Sequence, residues 1–177
     1  IEALTSVIKE HHNDIAGLMI ELFSGNMGFI PANKDFITTA KRLCEQYNIV
    51  FIADEVMTGF RVHASGGSHL YHLKPDLTML GKVIGGGFPV GAVGGKAAIM
   101  NLLSPEGGVY HAGTFAGHPL CMQAGSIVLD IIKNKNTLNT CEQYIHALCD
   151  ELTLIFKQKG IPFCTDYRQA MFGFFFQ

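Results

Sequence analysis

The chain has 177 residues, is 48% hydrophobic and 16% charged, and carries a formal net charge of −2. This length fits one domain or slightly more, with enough apolar material for a sizeable core, and the absence of a basic block argues against a nucleic-acid partner. No apolar stretch approaches the roughly 20 residues of a membrane span, so no membrane partner is expected.

The polar start at Ile1 to Asn13 is not a signal peptide. The five cysteines, Cys44, Cys121, Cys141, Cys149 and Cys164, include no C-x-x-C pair. That pattern predicts reduced thiols in a cytoplasmic protein. The chain lacks an initiator Met and stops inside the apolar run Phe174-Phe175-Phe176, which reads as a piece of a longer protein.

In chain order, Ala3, Leu4, Val7 and Ile8 give a helical spacing over Glu2 to Asn13. Ile15 to Leu22 predicts a strand with Glu21 near its end, and Ser24 to Gly28 a loop. Asn33 suits the cap of a helix reaching Tyr47, with Phe36, Ile37, Ala40, Leu43 and Cys44 on one face. Ile49 to Ala53 predicts a buried strand, and strand–helix–strand in this order argues for a parallel sheet. Thr58 to His72 reads as irregular, with a short helix at Ser68 to Leu73. A turn at Lys74-Pro75-Asp76 leads into a strand at Leu77 to Leu80. Gly85-Gly86-Gly87 breaks regular structure, a strand follows at Val90 to Gly94, and a helix at Lys96 to Leu103. Polar loops cover Ser104 to Gly108 and His111 to Pro119. Two long helices follow, from Pro119 to Ile132 and from Thr137 to Lys159, with Gly160 as the stop. Phe163 to Gln177 is strand-like. The polar run at residues 133–136 marks the domain boundary, dividing residues 1–134 from 135–177. No internal repeat or low-complexity segment is present.

Two charged spots stand at the carboxyl ends of the two buried strands, where ligands bind in open α/β sheets. Lys82 is either a surface residue at a strand end or a Schiff-base lysine made nucleophilic by desolvation. The glycines after it would let a planar cofactor approach. Asp54 reads as a helix cap, as half of an ion pair, or as the partner of a protonated ring nitrogen such as the pyridinium of pyridoxal 5′-phosphate (PLP). A nucleotide-hydrolase acid is a weak reading, because no G-K-[ST] phosphate loop exists. Thr114, in a Gly-Thr pair, is an ordinary loop residue or a phosphate contact. His69 and His72 are spaced i, i+3 without an evident acidic or thiol partner, so no metal is expected. His111 and His118 flank the Thr114 loop without a visible charge partner.

Together these motifs resemble the fold-type I, class III aminotransferase family of PLP enzymes. The resemblance rests on SGNMG (Ser24 to Gly28), DEVMTGFRV (Asp54 to Val62), PDLTMLGKVIGGGFPVGAVGG (Pro75 to Gly95) and Gly113-Thr114. Met57 to Arg61 follows the family's aminomutase branch rather than the Gln-Thr-Gly-Phe-Gly-Arg of ordinary transaminases. The resemblance implies an α/β fold with a mainly parallel sheet, the second half of a PLP-binding large domain, and the start of a small α+β domain. It implies an isomerase that uses PLP and its aminated form on a small-molecule substrate, in a homodimer whose active site is shared across subunits. Lys82 would form the Schiff base and shuttle protons. Asp54 would hold the ring nitrogen protonated, Val56 would pack on the ring, and Asn26 would lie near the ring hydroxyl. Gly113 and Thr114 would bind the phosphate of the neighbouring subunit's cofactor. The family usually has Glu-Pro where Glu21-Leu22 stands, and Ser-Gly-Asn-Pro where Ala116-Gly117-His118-Pro119 stands. It also draws a further phosphate loop and a ring-stacking aromatic from an N-terminal portion, so these residues alone are expected to hold half a cofactor pocket and to show little catalysis.

Overall fold

The computed structural model describes residues 1–176. Helix α1 (Glu2–His11) leads to strand β1 (Gly17–Glu21) and a small antiparallel hairpin, β2 (Phe23–Ser24) and β3 (Ile30–Pro31). Helix α2 (Lys34–Gln46) starts where the Asn33 side chain accepts from the N–H groups of Asp35 (2.9 Å) and Phe36 (3.1 Å), which satisfies donors that every helix start leaves open. Strand β4 (Val50–Asp54), short helix α3 (Gly66–Leu70), strands β5 (Leu77–Gly81) and β6 (Gly91–Gly95) and short helix α4 (Ala97–Met100) follow. Long helices α5 (Pro119–Asn134) and α6 (Thr137–Gln158) lead to a hairpin of β7 (Phe163–Arg168) and β8 (Met171–Phe176). Gly160, at φ +67°, ends the turn after α6. Gln177, the last residue of the expected strand, lies outside the described residues.

The main sheet has the order β1-β4-β5-β6. The β1–β4 and β4–β5 pairs are parallel, as the strand–helix–strand order predicts, and β6 runs antiparallel at one edge. One face of the sheet is closed by α1 and α2: Ile8, Ala40, Leu43, Cys44, Ile49 and Phe51 form a buried cluster joined by Leu18 and Ile20. A second cluster (Leu22, Phe23, Phe29, Ile37, Val62 and Met171) lies beyond the strand ends and includes the C-terminal hairpin. The Ala170 N–H donates to the Arg61 carbonyl (3.1 Å), which ties that hairpin to the loop after β4. The Tyr71 hydroxyl sits between the carbonyls of Ala32 (2.8 Å) and Leu22 (3.2 Å), holding the β2–β3 hairpin.

Three expectations need adjustment. The strands expected to be buried at Ile49 to Ala53 and Leu77 to Leu80 are only partly so, with Ile52 and all of Leu77 to Leu80 half-buried, because α1 and α2 both pack on the Phe51 side. The expected helix at Lys96 to Leu103 stops at Met100, because Ser104 and Val109 then pair back across a tight loop (Ser104 N–H to Val109 carbonyl and Val109 N–H to Leu102 carbonyl, both 2.9 Å). The short helix expected at Ser68 begins two residues earlier, at Gly66, for a reason that lies in the site.

Candidate active site

Asp54 closes β4 and registers with Met79 on β5. The next residue, Glu55, donates its N–H to the Met79 carbonyl (2.9 Å), so the two carboxyl ends run side by side. Lys82 follows β5 directly. Gly81 is fully extended, and a Cβ there would stand 3.2 Å from Val56 Cγ1, so Val56 packs on the backbone just before the lysine. Asp54, Val56, Gly81 and Lys82 thus form one continuous ledge at the carboxyl ends of the two inner strands.

Lys82 itself sits at φ +47°, in the left-handed region. For a residue with a Cβ this costs about 1–2 kcal/mol, and such strain clusters at functional sites. Its side chain is exposed, and among the described residues it has no hydrogen bond or ion pair. Asp54 is half-buried, and its Oδ1 accepts from the Val56 N–H (3.0 Å). No cation pairs with its carboxylate among the described residues. An acid with one oxygen anchored and the other available therefore ends one strand, and an unpaired amine follows its neighbour.

Asn26 lies exposed in a short turn, Gly25–Met27, after β2. The Gly25 N–H donates to Glu21 Oε2 (3.1 Å), and a Cβ on Gly25 would meet Met57 Sδ at 2.5 Å. Met57 thus seats the Asn26 turn beside Val56. Glu21 registers with Asp54 across β1 and β4, so its carboxylate supports the same edge.

In sequence Glu55 is the neighbour of Asp54 in an Asp-Glu pair that reads only weakly as a nucleotide-hydrolase acid, with no structural role marked for it. It is 2% exposed. Oε2 accepts from Thr58 Oγ1 (2.9 Å) and the Gly67 N–H (2.6 Å), and Oε1 from the Ser68 N–H (2.7 Å). This buried carboxylate therefore caps α3 and moves its start to Gly66. The signal in the sequence was a carboxylate three residues before a threonine and ahead of a Gly-Gly-Ser run.

Gly113 and Thr114 lie in an exposed loop and do not join this ledge. Gly113 instead lines a cleft of about 650 Å³ with Ile84, Val90, Gly91, Phe115 and Met122. Tyr110 (83% exposed) and Phe115 (79%) project beside it. The loop runs into α5, which grips the Lys82 turn: a Cβ on Gly125 would fall 2.0 Å from the Ile84 carbonyl oxygen. Gly125→Ala is therefore expected to push α5 off that turn at a cost of about 1–3 kcal/mol. Thermal melts against Ser126→Ala, an exposed neighbour, would show it; equal melting temperatures for the two variants would count against the close fit.

The histidines play other parts. His69 stacks on His63 at 4.2 Å rather than meeting His72. Burial first, then the neighbouring His69 and Arg168 charges, holds the His63 imidazole below its ordinary range. His118 precedes α5, with Nδ1 3.8 Å from Cys121 Sγ. His111 is exposed. Among the described residues no three His, Cys, Asp or Glu side chains gather as a metal site would require, and no helix is long and apolar enough to cross a membrane.

The α/β architecture with a mainly parallel sheet is consistent with fold type I of the PLP-dependent aminotransferases. The chain belongs to the class-III aminotransferase family, whose model matches residues 1–174. It is 44% identical over 176 residues to a glutamate-1-semialdehyde 2,1-aminomutase of Legionella pneumophila, covering 99% of this chain and 41% of that protein. An ω-transaminase structure from Sphaerobacter thermophilus matches with a TM-score of 0.86 and 32% identity, covering 97% of this chain and 40% of that one. A transaminase with PLP bound shares the fold at a TM-score of 0.88 and 24% identity, over 95% and 40% of the two chains. The chain thus spans about two fifths of the length of the relatives it matches.

Proposed function

We propose that the polypeptide carrying this chain is a PLP-dependent glutamate-1-semialdehyde 2,1-aminomutase, moving an amino group within one molecule to give 5-aminolevulinate for tetrapyrrole synthesis. The observation that carries this reading is the 44% identity to an aminomutase across nearly all of the chain. The chemistry of the ledge fits the cofactor: a free carboxylate oxygen on Asp54, an unpaired exposed amine on Lys82 and a valine between them suit a planar cationic ring with an aldehyde arm.

Bound there, PLP and its aminated form would supply an electron sink and an amine carrier. Lys82 would hold the cofactor covalently and then move protons between substrate and cofactor carbons. Asp54 would keep the ring nitrogen protonated through Oδ2, while the Val56 N–H fixes Oδ1. Val56 would cover one ring face, and Asn26 would lie near the ring hydroxyl. Gly113 and Thr114 would take the phosphate of the partner subunit's cofactor. The loop's exposure, and the projecting Tyr110 and Phe115, support a homodimer with shared sites. The enzyme is read as cytoplasmic. Residues 1–134 are read as part of the large domain, and residues 135–177 as the start of the small one.

A second reading, a class III transaminase acting on another amine, is favoured by the 32% identity to the ω-transaminase. Full-length protein supplied with glutamate-1-semialdehyde and no keto acid should yield 5-aminolevulinate. Absence of product, with rapid amino transfer once a keto acid is added, would replace the first reading by the second. The 177 residues alone are expected to be inactive in the same assay.

A further inference from the structure

We propose that Glu55 is a positioning residue for the ring-nitrogen acid: it fixes the backbone donor that orients Asp54. The inference rests on reading the ledge as a PLP site.

Glu55 does not touch that site. Its side chain points into the protein, where Thr58, Gly67 and Ser68 saturate it with donors. Its backbone is held as well: the N–H donates to the Met79 carbonyl (2.9 Å), and the carbonyl accepts from the Gly59 N–H (2.8 Å). Val56, the next residue, has little freedom left. Its N–H is the donor to Asp54 Oδ1 (3.0 Å), and its side chain lies on Gly81, one residue before Lys82. The orientation of the Asp54 carboxylate therefore depends on a hydrogen bond whose donor Glu55 anchors. The contact is specific to the carboxylate at this place. A Cβ on Gly66, which has φ +77°, would stand 2.7 Å from Glu55 Oε2, so the backbone closes around the oxygen.

All three groups facing the carboxylate are donors, two of them backbone N–H groups that cannot change role. A charged acceptor serves them strongly. In Glu55→Gln one oxygen becomes an NH₂, which must oppose at least one of these donors, and the 55–58 turn must shift. The consequence to look for is at the ring nitrogen. If Val56 moves, the Asp54 carboxylate turns, its grip on the ring N–H weakens, and the ring proton is lost at lower pH.

The test uses the full-length holoenzyme with ¹⁵N in the cofactor ring. The readouts are the pH titration of the ring-nitrogen NMR shift and the PLP dissociation constant. Glu55→Gln should weaken PLP binding about tenfold, the scale on which outer partners of directly bound ligands act. It should also lower the ring-nitrogen titration midpoint by about one pH unit, the same tenfold expressed as a proton equilibrium. Thr58→Val, which removes one donor and keeps the shape, should move both readouts the same way by less, and it decides the question if Glu55→Gln does not fold. A variant that melts earlier but titrates at the wild-type midpoint would reduce Glu55 to a structural residue and overturn the proposal. Failure of the wild-type protein to bind PLP would instead overturn the reading of the site, and this proposal with it.

Discussion

Replacing Lys82 with alanine in the full-length protein is expected to lower turnover by at least about 10⁴-fold, since on the proposed reading one change removes both the covalent anchor and the proton carrier. The backbone makes a second variant informative. Lys82 holds φ +47°, a conformation that alanine finds as costly as lysine and glycine adopts freely. Lys82→Ala should therefore keep wild-type stability, whereas Lys82→Gly should gain up to about 1 kcal/mol while losing the same activity. A residue that is strained, exposed and unpaired, and that proves indispensable in this test, is one held for its chemistry. Denaturant melts beside single-turnover assays would separate the two effects. A Lys82→Gly protein retaining more than a tenth of wild-type turnover would remove Lys82 from the mechanism.

What the sequence made legible followed from periodic burial. The helical spacing of Ile37, Ala40, Leu43 and Cys44 and the apolar run at Ile49 to Ala53 have only one efficient way to exclude water, and both elements form where expected. The strand-end places of Asp54 and Lys82 came with that topology. Glu55 was not legible, because its role depends on N–H groups 12 and 13 residues away in a segment without periodicity. The strain at Lys82 was equally hidden: a positive φ in a lysine has no compositional sign, whereas Gly86 and Gly87, also at positive φ, stand in a glycine run that marks itself. Gly125 carries no mark in the sequence, and only the approach of the Ile84 carbonyl gives it a purpose. Long-range backbone contacts, rather than side-chain patterns, make up what was missed.

Asp76 shows how such contacts hold the lysine's strand, and its removal is expected to be the most damaging change outside the ledge. It sits at the entry to β5, 8% exposed. Oδ1 pairs with Lys96 (2.5 Å), and Oδ2 accepts from Lys41 (3.3 Å) and the Phe51 N–H (2.8 Å). Its own N–H donates to the Phe51 carbonyl (2.8 Å), and its carbonyl accepts from the Lys96 N–H (2.9 Å). One residue thus joins α2, β4, β5 and the end of β6. Asp76→Asn would set an amide against these donors and leave Lys41, whose side chain is 11% exposed, poorly paired. The expected loss is about 2–3 kcal/mol near neutral pH. Lys96→Ala should cost less, because Lys96 is mostly in water.

The pH dependence carries a definite sign. Burial pushes the Asp76 carboxyl up, but Lys96, the Phe51 N–H and Lys41 together outweigh it and hold the group below its ordinary 3.8. As pH falls, the unfolded chain then takes up the proton before the folded one does. Stability from Asp76 is present above the unfolded value and drains away as pH drops through the lower folded one. Asp76→Asn should therefore be less stable than wild type near neutrality, and the gap should narrow as pH falls through the lowered folded value. Urea titrations across that range would show the gap closing. A constant gap at every pH would mean that the asparagine acts by shape alone and that the Asp76 charge does not hold the strand bearing Lys82.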